Sequence, residues 1–249
     1  MAVNIDIRAG VNCVLRRITG CLAPGGVCYI CGAAMDVGDY FACNSCINDL
    51  PVNYPACPRC AVPVVKQDTL CGNCTVVPGP CIGSSIAPLK YRFPVDRLIH
   101  DFKFHARLEI AGFLGRWMAA RVLDQQVMLP ECLIPVPLHN KRLRERGYNQ
   151  SLVLACSIGA ALKIPVNHRL CARVLHSPPQ STVTAPWRGK NVRGVFRYTG
   201  SLQAPPKHVA LVDDVITTGA TVMELARMLH AGGGAQVDVW AAARAGGRG

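Results

Sequence analysis

The run Leu211-Val212-Asp213-Asp214-Val215-Ile216-Thr217-Thr218-Gly219-Ala220-Thr221 concentrates more chemistry than any other stretch of the chain. Apolar residues lead into two adjacent acids, a Thr/Gly-rich loop follows, and Val222 to His230 then carries apolar residues at helical spacing. The order is strand, loop, helix, which presents a helix N-terminus to a phosphate. Thr217, Thr218, Gly219, Ala220 and Thr221 offer backbone N–H groups and three hydroxyls to a phosphomonoester. Asp213 and Asp214, at the strand end, suit the vicinal hydroxyls of a ribose. A Walker loop is excluded, because no G-x-x-x-x-G-K-[ST] is present and the acids precede the loop. Helix capping would account for one acid, but not for two acids and three threonines.

A second chemistry sits near the N-terminus. Eight of the 14 cysteines form four Cys-x-x-Cys pairs: Cys28/Cys31, Cys43/Cys46, Cys57/Cys60 and Cys71/Cys74. Two residues between thiolates let both sulfurs reach one Zn²⁺ at about 2.3 Å, and two such knuckles complete a tetrahedron. A disulfide framework would suit a secreted chain, and no signal-peptide pattern is visible. A weak internal repeat favours pairing Cys28/31 with Cys43/46 and Cys57/60 with Cys71/74, giving two structural zinc ions. The gaps between pairs are nearly equal, so spacing leaves a crossed arrangement open. The remaining cysteines, Cys13, Cys21, Cys81, Cys132, Cys156 and Cys171, read as small buried hydrophobes.

The elements that must position these groups follow from the rest of the chain. Its 249 residues, half of them hydrophobic, allow one substantial domain plus a small module. Residues 1–27 carry an amphipathic helix pattern, with apolar positions interleaved with Arg16 and Arg17 rather than a continuous apolar run. No stretch approaches the ~20 apolar residues of a membrane span, so the expected location is cytoplasmic, with the N-terminal helix as the one candidate for peripheral contact with the inner membrane. Residues 28–77 hold the zinc ribbons, and Val77-Pro78-Gly79-Pro80 reads as a hinge. Residues 82–249 hold the larger domain and the whole net charge of +12, since residues 1–81 balance five basic against five acidic side chains. Such a basic domain suits a polyanion.

Within that domain helices are expected over 94–104 and 108–123, with Lys103 near the end of the first, and over 151–162. Leu133 to Pro137 reads as a short buried strand followed by a basic loop, with Lys141, Arg142, Arg144 and Arg146 as a candidate pyrophosphate cradle. Both this loop and Asp213/Asp214 follow strands, so a parallel sheet would bring them to one edge, where open α/β sheets bind ligands. Arg173 to Phe196 reads as a long surface loop, a candidate lid with Gln180, Arg188 and Asn191 as contributors.

The Asp-Asp pair followed by Thr-Thr-Gly-Ala-Thr resembles the loop that binds 5-phosphoribosyl 1-pyrophosphate (PRPP) in type I phosphoribosyltransferases. Taken with the four cysteine pairs, Pro135-Val136-Pro137-Leu138, Arg146-Gly147-Tyr148-Asn149-Gln150, Arg173, Gln180, Arg188, Asn191 and Phe196, it resembles the ComF family over roughly residues 28–240. The resemblance implies an α/β protein: a type I phosphoribosyltransferase fold, mostly parallel sheet flanked by helices, behind a double zinc ribbon. It implies PRPP with Mg²⁺ as ligand, Lys103 as a supporting residue, and a cytosolic role in handling single-stranded DNA during natural transformation, alongside competence or recombination proteins. Leu175 and Ser177 depart from the family pattern, where a basic residue and Thr are common; the departures bear on the lid's phosphate contacts.

Two functions remain open at this point. One is enzymatic: displacement of pyrophosphate from PRPP by a nitrogen nucleophile, although no acceptor-recognition residues stand out. The other is binding, with PRPP as a ligand and the basic domain holding single-stranded DNA. Tyr91, Phe93, Phe102, Phe104 and Trp187 lie among basic residues and are candidates for stacking on bases, or for the core.

Overall fold

The computed structural model describes residues 26–35, 41–76, 82–174, 194–200, 206–233 and 235–246. Residues 1–25 of the N-terminal amphipathic segment, the 77–80 hinge and the lid residues Gln180, Trp187, Arg188 and Asn191 lie outside them.

The centre of the molecule is a parallel sheet. Strand β6 (His208–Ile216) lies between β3 (Cys132–Pro135) and β7 (Gln236–Arg244), and β1 (Ser85–Ile86) and β2 (Leu89–Lys90) both pair with the far side of β7. The β1 and β2 registers are continuous, so they act as one strand whose ladder is interrupted at Ala87-Pro88, where proline lacks a donor. β6 and β7 read as apolar runs because both faces of the sheet are covered.

One face packs on α3 (Val95–Phe104), α4 (Glu109–Asp124) and α6 (Gln150–Leu162). The other packs on α7 (Ala220–Gly233) and on the antiparallel pair β4 (Cys171–Arg173) and β5 (Phe196–Tyr198). α4 and α6 approach closely at Gly115, where a Cβ would collide with Ser157. The ends of the expected lid are thus strands, because Arg173 and Phe196 close a short ladder. Cys132 and Cys171 are buried and Cys156 is half-buried.

The zinc-ribbon segment is integral to this body. It contains the short helices α1 (Asn44–Asn48) and α2 (Gly72–Val76). Tyr29 stacks on Phe41, which stacks on Phe113 of α4, so the first ribbon shares the main core. Val52 bridges antiparallel to Leu89, Asn53 donates to the Pro88 carbonyl and Lys90 to that of Pro51. The ribbon therefore covers the sheet edge that β2 would otherwise expose.

Candidate functional site

β3 and β6 run parallel with Pro135 opposite Val212, so the segments after them emerge at one sheet edge. The basic segment after β3 is a helix rather than the expected loop: α5 (Asn140–Arg146). The His139 ring accepts from the Lys141 N–H at its start, and Gly147 ends it in the left-handed region at φ 79°, as a helix-terminal glycine allows. The helical period then separates four residues that look equivalent in the sequence. Arg142 and Arg146 lie one turn apart and are half-buried, whereas Lys141 and Arg144 face solvent.

Burial lowers Arg142 from its ordinary value, and the Arg146 charge lowers it further. Arg173, at the end of β4, is lowered by burial and by Arg142, with Asp213 acting in the opposite direction. Arg142 thus feels the charges of Arg146 and Arg173, and Arg173 in turn feels Asp213. Arg146 also lies over the Phe104 ring and donates to Gln150, which holds its guanidinium near the strand ends.

The two acids occupy different environments. Asp213 accepts from the Ser151 hydroxyl at 3.0 Å and from the Asp214 N–H at 2.9 Å. Burial, then the neighbouring Asp214 charge, pushes its carboxyl up to about 7 despite opposing contributions from Lys103 and these hydrogen bonds. Asp214 is paired with Lys103, Nζ to Oδ1 at 2.9 Å. Burial opposes the Lys103 charge, but Asp214 and Asp213 outweigh it and hold the ammonium above its ordinary value.

The Tyr148-Asn149-Gln150 stretch sets that pair in place. The Tyr148 hydroxyl donates to the Phe102 carbonyl and Gln150 to the Lys103 carbonyl, fixing the last turn of α3. Asn149 caps α6 through the Ser151 N–H and donates to Val136 beyond β3. These three side chains act as a strut between α3, β3 and α6.

Thr217, Thr218 and Gly219 connect β6 to α7, with Gly219 at φ 78°, a conformation in which a Cβ is strained. Thr218 and Thr217 are exposed, and the Thr218 hydroxyl accepts from the Ala220 N–H. The loop therefore stands at the N-terminus of a 14-residue helix, beside Asp213 and Asp214. The fold joins Lys103 to Asp214 and sets the 217–221 loop directly after the strand that carries both acids. Ser151 has no chemical signature in the sequence beyond its place at a helix start.

Of the expected aromatic platforms, Tyr91, Phe93 and Phe104 are exposed, but Phe102 is fully buried in the core. It lies on the apolar face of α3 with Leu98 and Ile99, so of the two roles open to it the core is the one it takes.

The cysteines resolve into two clusters, Cys28/Cys31/Cys43/Cys46 and Cys57/Cys60/Cys71/Cys74, with the sulfurs of each within 4.8 Å of one another. The crossed pairing is thereby excluded. Each cluster suits a tetrahedral thiolate centre on a further ground, because backbone N–H groups point at sulfur: Cys43 N–H to Cys28 Sγ at 3.3 Å and Cys71 N–H to Cys57 Sγ at 3.4 Å. Burial alone would raise these two thiols, yet donors including Cys31 and Cys43 hold Cys28 down to about 6, and Cys71 and Cys60 hold Cys57 down to about 7. Eight cysteines saturate two zinc ions and leave no open position, as in structural sites. No described helix is long and apolar enough to cross a membrane.

A double zinc ribbon family model matches residues 19–75. The chain is 31% identical over 227 residues to DNA utilization protein YhgH of Escherichia coli strain K12, covering 90% of this chain and 99% of that protein. It is likewise 31% identical to the protein of the same name in Salmonella typhimurium, at the same coverage. Competence protein F of Haemophilus influenzae is 33% identical over 223 residues, covering 88% of this chain and 96% of that protein. Near-complete alignment in both directions, together with a mixed α/β body carrying two tetracysteine centres, places the chain in the ComF family of competence proteins.

Proposed function

We propose that this protein binds PRPP, or a related ribose phosphate, at the edge of its parallel sheet and acts in handling single-stranded DNA during DNA uptake. The observation that carries the ligand reading is the placement of Asp213 and Asp214 at the end of β6, directly before a Thr-rich loop at the N-terminus of α7. The acids would accept from the 2′ and 3′ hydroxyls. Loop N–H groups and threonine hydroxyls would take the 5′ phosphate, and Arg142, Arg146 and Arg173 would face the pyrophosphate. When bound, Mg²⁺ would offset the charge of the diphosphate. The expected domain organisation, with residues 82–249 forming a phosphoribosyltransferase-like unit, is part of this reading, and the parallel sheet with helices on both faces is compatible with it.

The DNA reading draws on the names of the relatives, DNA utilization protein and competence protein F. It is supported by the exposed rings of Tyr91, Phe93 and Phe104 among Arg92, Arg97 and Arg146, since single-strand binding uses positive charge with stacking surfaces. A cytoplasmic location and competence or recombination proteins as partners belong to the same reading.

A second reading is catalytic. The cluster of three guanidinium groups favours it, because charge develops on a departing pyrophosphate. Titration calorimetry with Mg²⁺-PRPP, followed by a pyrophosphate-release assay over a nucleobase panel, tests both. Absence of binding heat overturns the ligand reading, and binding without release retains it while removing catalysis.

A further inference from the structure

Arg244, the last residue of β7, spans two parts of the molecule that share no sequence proximity. Its Nε donates to the Cys60 carbonyl at 3.0 Å, in the turn of the second zinc ribbon. Its Nη1 donates to Ile216 O at 2.9 Å, to Thr217 O and to Ala245 O at 2.7 Å. Ile216 ends β6 and Thr217 opens the loop at the candidate phosphate site. One rigid guanidinium fork therefore ties a metal-ligand turn to the base of that loop.

The electrostatics point the same way. Arg244 is buried, with 7% exposure, and each of its hydrogen bonds named above goes to a backbone carbonyl. Among the described residues it forms no ion pair with a carboxylate. A buried cation needs a compensating anion. The Cys60 contact places the guanidinium beside the Cys57/Cys60/Cys71/Cys74 cluster. A zinc ion held there by four thiolates would carry a net negative charge and would supply that anion.

We infer that Arg244 is a positioning residue that couples metal occupancy of the Cys57/Cys60/Cys71/Cys74 centre to the shape of the 216–221 loop, and hence to ribose-phosphate affinity. The functional half rests on the PRPP reading above; the structural half does not. With the second centre filled, Cys60 is fixed and the guanidinium holds the Ile216 and Thr217 carbonyls. With it empty, Arg244 loses its counter-charge, its Cys60 acceptor moves, and the loop is released. The first centre, docked on α4 through Tyr29 and Phe41, has no such connection among the described contacts. Coupling is reciprocal, so a ligand in the loop should also raise the metal affinity of the second centre.

Amide exchange tests the structural half. The Ala245 and Met223 N–H groups donate to the Ile216 and Gly219 carbonyls and report on the loop. In C71S/C74S their exchange should rise about tenfold or more beyond any rise in the α6 amides, the loss of charged hydrogen bonds worth ~1.4 kcal/mol or more per decade, whereas C43S/C46S should raise it no more than it raises the α6 amides. Arg244→Met should raise it with both zinc ions retained, and Arg244→Lys, which keeps the charge without the fork, should fall between. If α6 amides also lose protection in C71S/C74S, the zinc-replete Arg244→Met decides: wild-type exchange at Ala245 and Met223 there overturns the coupling. So does wild-type exchange in a folded C71S/C74S. Calorimetry with Mg²⁺-PRPP separates the two halves. No heat from the wild-type protein removes the ligand reading alone and leaves exchange to judge the coupling, and wild-type PRPP affinity in Arg244→Met overturns the functional link.

Discussion

Lys103 Nζ lies 2.9 Å from Asp214 Oδ1, and both side chains are largely buried. The lysine neutralises one of two adjacent carboxylates, while the other is held by Ser151. Removing one partner of a buried pair leaves an uncompensated charge, at a cost of about 3–5 kcal/mol. Lys103→Met should therefore lower urea-unfolding stability by an amount of that order, and adding Asp214→Asn should restore most of it. Equal stabilities of Lys103→Met and the wild type would show that the pair carries no such energy.

Asp213 gives stability a pH dependence of unusual sign. Its folded-state value, about 7, lies above the ordinary carboxylate value. Between about pH 4 and 7 the folded state then holds more of the proton than the unfolded state. The Asp213 contribution is thus fully present below pH 4 and declines as pH rises through that window. Denaturant melts from pH 4.5 to 8 should show a smaller decline in Asp213→Asn. Ribose hydroxyls need accepting carboxylate oxygens, so PRPP should bind more tightly as pH passes 7 and should release a proton on binding.

The double substitution Asp213→Asn/Asp214→Asn should weaken PRPP by roughly 10²–10⁴-fold, since hydrogen bonds to charged groups are worth about 1.5–3 kcal/mol each. Calorimetry on the folded variant checks this, and unchanged affinity would remove the acids from the site.

α5 divides its own charges. Neutralising Arg142 and Arg146 should weaken PRPP by about tenfold or more per arginine. Neutralising Lys141 and Arg144, which are exposed, should change affinity by less than about fivefold, in line with ~1 kcal/mol or less for surface pairs. Similar losses from the two double variants would mean that α5 does not present one face to the ligand.

The exposed rings carry the DNA prediction. Replacing Tyr91, Phe93 and Phe104 by Ala should each weaken a labelled oligonucleotide by about 1–3 kcal/mol where a base stacks. Fluorescence anisotropy should also show a log–log salt slope of about −0.7 per phosphate neutralised. Wild-type binding by all three variants would place DNA elsewhere.

Zinc removal should reach beyond residues 28–74. The stack of Tyr29, Phe41 and Phe113 and the pairing of residues 51–53 with β2 join the ribbons to the body. Metal analysis should return two Zn²⁺ per chain, and strong chelation should lower the melting temperature of the single transition rather than melt a separate module. A fragment of residues 82–249 should expose the β2 edge and associate, because unpaired strand edges recruit further strands. A monomeric fragment of undiminished stability would establish the ribbons as an independent unit.

Some of this was legible without coordinates because it depends on near neighbours. Two residues between cysteines set a knuckle, and an apolar run, a Thr/Gly turn and a 3.6-residue period set β6, the loop and α7. Helices 95–104, 109–124 and 150–162 lie within a residue or so of the expected bounds for the same reason. The basic segment was misread as a loop because its charges hide the short helix that His139 and Gly147 delimit. Whether Phe102 stacks on bases or joins the core stays open in the sequence because composition does not say which face of α3 is covered.

The sequence by itself determined the chemical kinds present: cysteine pairs, an acid pair before a Thr/Gly-rich loop, and an excess of positive charge on residues 82–249. It could not decide which of these meet. That Ser151 holds Asp213, that Arg173 joins Arg142, and that Arg244 reaches Cys60 across 184 residues depend on strand order and helix docking. Those arrangements arise from burying both faces of one parallel sheet, a collective property of the packed chain that no local spacing encodes.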